Sequence, residues 1–126
     1  MAKRIAVEGF EAFVKQIEEH KPSGKDIFVM FSGSKDPSSG KSWCPDCVVA
    51  QPVVDAALTK APEDSVYIYV GVGGRNFWKD PNCIFRTDSR TKLKSVPTLM
   101  KFGTPQRLEE EQCAKADMVE MLFEDA

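Results

Sequence analysis

The sequence lacks long apolar runs, blocks of basic residues and internal repeats. No stretch approaches the roughly 20 apolar residues of a membrane-spanning helix. The apolar segment after Lys3 and Arg4 already ends at Glu8, which is too short for a secretory signal. The 17 Lys and Arg residues are outnumbered by 19 Asp and Glu, whereas nucleic-acid-binding proteins normally carry a basic face. We therefore expect a cytosolic protein that binds neither membranes nor nucleic acid.

The chain is also short and has a single histidine. Its 126 residues suit a single domain covering residues 1–126. With 42% hydrophobic residues it can form one core without a disulfide framework. Only four cysteines and one histidine are present. Because the cytosol keeps thiols reduced, four cysteines there are more typical of catalytic, metal-binding or buried positions than of structural disulfides.

The hydrophobic pattern predicts alternating helices and strands. Strands are expected at residues 26–31, 66–72, 98–102 and 106–110, the first of them buried and parallel to a neighbour. Residues 71–91 are expected to be irregular, with at most a short helical turn. The helices are expected from three apolar faces: Phe10, Phe13, Val14 and Ile17; Val48, Val49, Val53, Ala56 and Ala57; and Ala114, Met118, Val119 and Leu122. The order β–α–β followed by β–β–α predicts a layered α/β domain.

The segment Trp43-Cys44-Pro45-Asp46-Cys47 carries a Cys-x-x-Cys pair at a predicted strand-to-helix junction. In the first turn of a helix, unpaired N–H groups and the helix dipole favour an anion. A thiol there has a lowered pKa, and its thiolate is the attacking species. Two intervening residues keep Cys47 within reach of Cys44. The pattern predicts thiol–disulfide exchange, with Cys44 as the nucleophile and Cys47 as the resolving thiol.

The alternative chemistry for a Cys-x-x-Cys pair is half of a zinc site. Such a site needs a second pair of ligands, and the remaining candidates are Cys83, Cys113 and His20, which are widely spaced in the chain. A site built from all four cysteines is the weaker interpretation, and we expect no metal. Cys83 and Cys113 are expected to be buried free thiols.

Together with Pro52 and the triplet Val96-Pro97-Thr98, the cysteine segment resembles the thioredoxin superfamily. The resemblance implies a thioredoxin-like three-layer α/β/α sandwich with a central mixed β-sheet, and an active-site helix kinked at Pro52. It also implies a cis Val96–Pro97 bond beside Cys44. Trp43, Val96 and Pro97 would then line the groove that receives an extended substrate.

Further segments narrow the resemblance to one branch, the fourteen-kilodalton thioredoxin-related proteins: residues 31–35, 40–47, 77–82, 99–106 and 118–123. Membership implies a cytosolic disulfide reductase for disulfide-containing small molecules or proteins. It implies thioredoxin reductase with NADPH as the electron donor and no cofactor bound to the chain itself. It further implies a narrower substrate range than that of thioredoxin, which can extend to peroxidase activity and redox-linked signalling.

Two departures from ordinary thioredoxin concern charge. Pro45 and Asp46 replace the usual Gly-Pro between the cysteines; the proline suits a helix start, while the carboxylate opposes formation of the Cys44 thiolate. Both residues should tune the redox potential. In addition, Met30 stands where thioredoxin carries a buried strand aspartate. We hypothesise that Asp46, or Asp36 in the preceding loop, helps Cys47 to lose its proton instead.

A second class of function is a binding module, in which oxidation of Cys44 and Cys47 switches the contact with a partner. The intact cysteine pair favours the enzyme, because a pure scaffold does not need both thiols. Remaining features have plainer interpretations. We expect His20 to close the first helix, Trp78 to anchor its loop or line the site, and residues 33–42 to rim the site. Met118, Met121 and Phe123 are expected in the core.

Overall fold

Residues 1–124, the part of the chain that the computed structural model describes, contain five strands and five α-helices. The strands are β1 (Lys3–Glu8), β2 (Ile27–Ser32), β3 (Val66–Gly71), β4 (Thr98–Lys101) and β5 (Arg107–Glu109). The helices are α1 (Phe10–His20), α2 (Pro45–Ala57), α3 (Arg75–Lys79), α4 (Ile84–Thr87) and α5 (Ala116–Glu124). Short 3-10 turns follow α1 and α2 and precede α5, at Lys21–Ser23, Leu58–Lys60 and Glu110–Ala114. In this part of the chain no helix is long and apolar enough to cross a membrane.

The strands form one mixed sheet in the order β1-β3-β2-β4-β5. β1 and β2 both pair with β3 in parallel, whereas β4 runs antiparallel to β2 and to β5. The β4–β5 connection turns at Gly103, whose φ of 83° lies in the left-handed region that glycine tolerates best. The expected mixed sheet is therefore confirmed, and β2 is its central strand.

Each face of the sheet carries its own apolar cluster, because successive side chains of a strand point to opposite sides. Val29 and Phe31 of β2 face α1, α3 and α4, where Phe13 and Phe85 complete the cluster. The other face meets α2 and α5 through the residues Phe28, Met30, Ala50, Val54, Val119 and Phe123. These two helical layers confirm the three-layer α/β/α arrangement.

The N-terminal strand β1 was missing from the sequence-based prediction. Within β1 only Ile5 and Val7 are partly buried, and the other four residues of the strand are exposed. The exposed Ala6 lies between the two, and the exposed Glu8 follows Val7. Such alternation is the signature of an edge strand with one covered face. With only two apolar side chains on its covered face, β1 gives a weak hydrophobic signal in the sequence.

The prediction for the helices was wrong in three places. Along α2 the buried positions are Cys47, Ala50, Val54 and Ala57, while Val48 and Val49 are 40% and 59% exposed. Helical periodicity, rather than side-chain type, selects the buried face. Residues 71–91 contain two short helices, α3 and α4, instead of an irregular loop. Met121 is 67% exposed on α5, although Phe123 is fully buried as expected.

Replacing Phe31 by alanine should destabilise the protein strongly. Its ring is fully buried and makes edge-on contacts with Phe13 and Phe85, at centroid distances of 5.2 and 5.9 Å. We expect a loss of about 3–5 kcal/mol in the free energy of unfolding, measured by urea denaturation. The matched control is Met121→Ala, which should cost less than about 0.5 kcal/mol because the side chain is exposed. Equal losses for the two variants would contradict this assignment of the core.

Candidate active site

Cys44 is the N-cap residue of α2, with extended backbone angles of φ −94° and ψ 110°. Its Sγ accepts a hydrogen bond from the backbone N–H of Cys47 at 3.2 Å. The Ser42 hydroxyl accepts one from the backbone N–H of Cys44 at 3.1 Å. Pro45 follows at the first helical position, where a missing N–H costs nothing. The sequence therefore delivers the sulfur of Cys44 to the helix N-terminus, where the unpaired N–H groups favour negative charge.

Cys47 lies one turn further along α2 and belongs to the apolar cluster that contains Val29 and Phe31. The two sulfur atoms are paired in a disulfide, and the Cα atoms are 5.2 Å apart. The backbone N–H of Gly33, just after β2, points at the Cys47 sulfur at 3.4 Å. Cys47 is 1% exposed and Cys44 is 5% exposed. Cys44 is therefore the slightly more accessible of two nearly buried sulfurs.

The Val96–Pro97 bond is cis, as the sequence predicts. The carbonyl oxygen of Val96 lies 3.7 Å from the Sγ of Cys44. The loop is held from behind, because the Thr98 hydroxyl donates to the carbonyl of Ser95 at 2.8 Å. The backbone N–H of Glu110 donates to the carbonyl of Pro97, also at 2.8 Å. The structure thus brings Cys44, Cys47, Val96 and Pro97 together from segments far apart in the chain.

Trp43 forms a fixed wall next to the cysteines. Its indole N–H donates to the carbonyl of Gly73 at 2.9 Å. Its ring packs so closely on Gly33 that a Cβ there would lie 2.6 Å from Cε2 of the ring. Gly33 is thus needed for the close approach of Trp43, whatever its backbone angles.

A cavity of about 450 Å³ opens beside Cys44. Three segments form its walls: residues 43–46, helix α3, and the loop that precedes the cis proline. The lining residues are Trp43, Cys44, Pro45, Asp46, Arg75, Trp78, Lys79, Lys94, Ser95 and Val96. Cys47 is absent from this lining. Pro45 and Asp46 are exposed at its mouth.

Sequence reasoning did not find the cationic part of this lining. Arg75, Lys79 and Lys94 are exposed and separated from Cys44 by 31 or more positions in sequence, so no local motif marks them. Trp78 both lines the cavity and anchors its segment, since it is 5% exposed and the Arg86 guanidinium stacks on its ring at 3.9 Å. The only signal in the sequence was the spacing of Arg75 and Lys79, four residues apart on one helix.

Residues 33–42 do not rim this cavity, contrary to the prediction. Lys35 and Ser42 form an isolated bridge, and together with Lys41 they border a separate depression on the side of α2 that carries Pro52. Asp36 turns back into its own loop and accepts hydrogen bonds from the backbone N–H and hydroxyl of Ser38. These bonds hold the pKa of Asp36 below its usual range.

The other candidate ligands stay apart. Cys83 is buried in the cluster that contains Cys47, whereas Cys113 is buried in the cluster on the opposite face of the sheet. Burial raises the pKa of the Cys113 thiol to about 12. His20 ends α1, with Nδ1 2.9 Å from the carbonyl of Gln16. Within residues 1–124 no three His, Cys, Asp or Glu side chains come together as metal ligands.

Comparison with known proteins agrees with this geometry. The family model for thioredoxin domain-containing protein 17-like thioredoxin domains matches residues 6–125. Thioredoxin domain-containing protein 17 of Danio rerio is 53% identical over 121 residues, 96% of this chain and 94% of that protein. The Homo sapiens protein of that name is 50% identical over 123 residues, 98% of this chain and 96% of its own.

A solved structure, the reduced thioredoxin pre-protein of Schistosoma mansoni, shows the fold. It superposes with a TM-score of 0.59 at 17% identity and covers 97% of this chain and 99% of its own. The thioredoxin-like fold implied by the sequence is thereby confirmed. With nearly its whole length matched, the chain belongs to the thioredoxin domain-containing protein 17-like family of thioredoxin domains.

Proposed function

We propose that this protein is a cytosolic thiol–disulfide oxidoreductase that reduces disulfides with its Cys44/Cys47 dithiol. One observation carries the proposal: the sulfur of Cys44 sits at the N-terminus of α2, paired with Cys47, and opens onto a cavity. A thiolate there is stabilised by the helix dipole and by the Cys47 N–H. A merely structural disulfide needs neither feature.

Cys44 is assigned as the nucleophile and Cys47 as the resolving thiol. Cys44 lines the cavity, so a substrate can reach it, whereas Cys47 lies behind it and is 1% exposed. The Cys44 thiolate attacks one sulfur of the substrate, and the other substrate sulfur leaves as a thiolate that takes up a proton from water. The Cys47 thiolate then attacks Cys44, which releases the second substrate thiol and leaves the Cys44–Cys47 disulfide. Two electrons have passed to the substrate.

The substrate groove is proposed to run between Trp43 and the Val96–Pro97 loop. The Val96 carbonyl is a backbone acceptor 3.7 Å from the Cys44 sulfur, where the backbone of an extended substrate can pair with it. Trp43 is held rigidly by Gly73 and supplies an apolar wall. Pairing to a backbone carbonyl positions the substrate without reading its side chains.

To complete the cycle, the Cys44–Cys47 disulfide must accept two electrons. We propose thioredoxin reductase as the donor, with NADPH as its reductant, as the resemblance to the fourteen-kilodalton thioredoxin-related proteins implies. The chain needs no cofactor of its own for this exchange, because both half-reactions occur at sulfur. Peroxidase activity and redox-linked signalling are further proposed uses of the same dithiol.

Replacing either cysteine by serine should abolish turnover, but with different products. Cys44→Ser should lose all disulfide reduction, measured as NADPH consumption with thioredoxin reductase and cystine. Cys47→Ser should attack once and stop, so that a stable mixed disulfide with the substrate appears by mass spectrometry. Cys83→Ser is the matched control for a buried thiol and should keep full turnover.

Absence of turnover by the wild-type protein would contradict the reductase function. It would favour the alternative, a binding module whose contact with a partner is switched by oxidation of Cys44 and Cys47. A mixed disulfide trapped by Cys44→Ser instead of Cys47→Ser would reverse the assigned roles.

Asp46→Asn should make Cys44 more reactive at low pH. The carboxylate and the Cys44 sulfur line the same cavity, so the negative charge opposes the thiolate. We expect the pH profile of iodoacetamide alkylation to move to lower pH by a few tenths of a unit, since Asp46 is exposed to screening solvent. Asp64→Asn, which removes an exposed charge away from the cavity, should leave the profile in place.

The second hypothesis for Asp46 concerns Cys47. If the carboxylate takes the proton of Cys47, Asp46→Asn should also slow the release of the mixed disulfide at neutral pH. A rate of release that stays unchanged across the pH range would exclude this role.

A further inference from the structure

Three cations converge on the cavity without partners. Arg75 and Lys79 lie four residues apart on α3 and face the cavity from one side, and Lys94 faces it from the loop before Val96. All three are exposed. In the described part of the chain, none of them forms an ion pair or a side-chain hydrogen bond. Asp46 is the single acid among the lining residues, so the lining carries a net positive charge.

The walls between these cations are apolar and rigid. Trp43 is fixed by its hydrogen bond to Gly73. Trp78 is covered by the Arg86 guanidinium, which also donates from Nε to the Trp78 carbonyl at 2.7 Å. Arg86 thereby places a further positive charge against the ring of Trp78. A cleft of one charge sign with low-dielectric walls concentrates the field and raises the local concentration of oppositely charged ligands.

We propose that Arg75, Lys79 and Lys94 select disulfides that carry carboxylate groups close to the sulfur atoms. The inference rests on the proposed reductase function, whose substrate class it names. The sources of this chemistry are small organic disulfide acids and acidic peptide segments around a protein disulfide. The three residues determine specificity, and they form no bond in the exchange at Cys44.

Charge supplies the discrimination because the disulfide group itself is neutral. When the sulfur of such a substrate is at Cys44, a carboxylate two or three carbon atoms away enters the cavity that the three cations line. A cationic substrate in the same position meets repulsion from both sides of the cavity, relieved only by Asp46. The preference should therefore weaken with added salt, because exposed charges are screened.

The first arm of the test uses three small disulfides that differ mainly in charge: 3,3′-dithiodipropionate, 2-hydroxyethyl disulfide and cystamine. The protein is reduced with dithiothreitol and desalted, and single-turnover rates follow from the change in tryptophan fluorescence. Each rate is divided by the rate of the same disulfide with free dithiothreitol, which removes intrinsic reactivity. We expect the anionic substrate to exceed the cationic one by about tenfold or more at low ionic strength.

Variants separate selection from activation of the thiolate. Lys79→Gln combined with Lys94→Gln should lower the anion-to-cation ratio at least threefold, whereas a change in Cys44 reactivity alone would move all three rates together. Asp46→Asn should raise the ratio. The charge-matched control is Lys15→Gln combined with Lys60→Gln, two exposed lysines outside the cavity lining, which should leave the ratio unchanged.

A second arm uses cystine-bridged peptides with aspartate or lysine next to each cysteine. If only the peptides show a preference for the acidic substrate, the natural substrates are acidic segments of proteins. If only the small disulfides show it, the natural substrates are small organic acids. Equal normalised rates in both arms would overturn the charge selection and leave the reductase function intact. If the wild-type protein reduces none of these disulfides, the reductase function fails, and the selection fails with it.

Discussion

The register between β2 and β4 brings the cysteine pair and the cis-proline loop together. Phe31 of β2 pairs with Thr98 of β4. Next to this pair, β2 ends and leads into Gly33, while Pro97 directly precedes Thr98. β2 is the central strand and all six of its residues are buried, so a slip of one position would turn its core side chains to the wrong face. The packing of the sheet therefore holds the Cys47 sulfur near Gly33 and the Val96 carbonyl near Cys44.

Local chemistry explains which parts of the site were visible in the sequence. A Cys-x-x-Cys pair spans one helical turn, and a cis peptide bond is almost confined to proline. The sequence alone therefore identifies Cys44, Cys47 and Pro97 as candidates. The interior strands were predicted to within one residue because they are continuous apolar runs. The sequence did not reveal β1, because only half of an edge strand is apolar. Val48 was wrongly predicted to face the core, because side-chain type was given more weight than helical period. Lys94 and Arg75 line the same cavity only after the chain has folded, so no local sequence pattern reveals them.

The charged side chains of this site line the cavity beside Cys44 and are not part of the apolar core. Met30 is fully buried among apolar side chains, where a carboxylate would need a partner to offset its desolvation. Asp46 and the three cations of the cavity are instead exposed. Exposed charges act on a nearby ionised group over several ångströms and are screened by salt. Electrostatic control of this site is therefore weaker than in a buried network, and it is easier to alter by surface substitution.

Two cysteines on either side of the cis-proline loop show how strongly position controls reactivity. The Cys44 sulfur accepts an N–H at a helix N-terminus, which stabilises its thiolate form. The Cys113 thiol lies 3.4 Å from the carbonyl of Leu108 and 3.7 Å from that of Pro97, two acceptors that favour the protonated form. Burial raises its pKa to about 12, and a hydrogen bond from the Leu99 backbone offsets this rise only in part. Since both sulfur atoms contact the same loop, burial and the direction of the surrounding dipoles, rather than proximity to the loop, distinguish their environments.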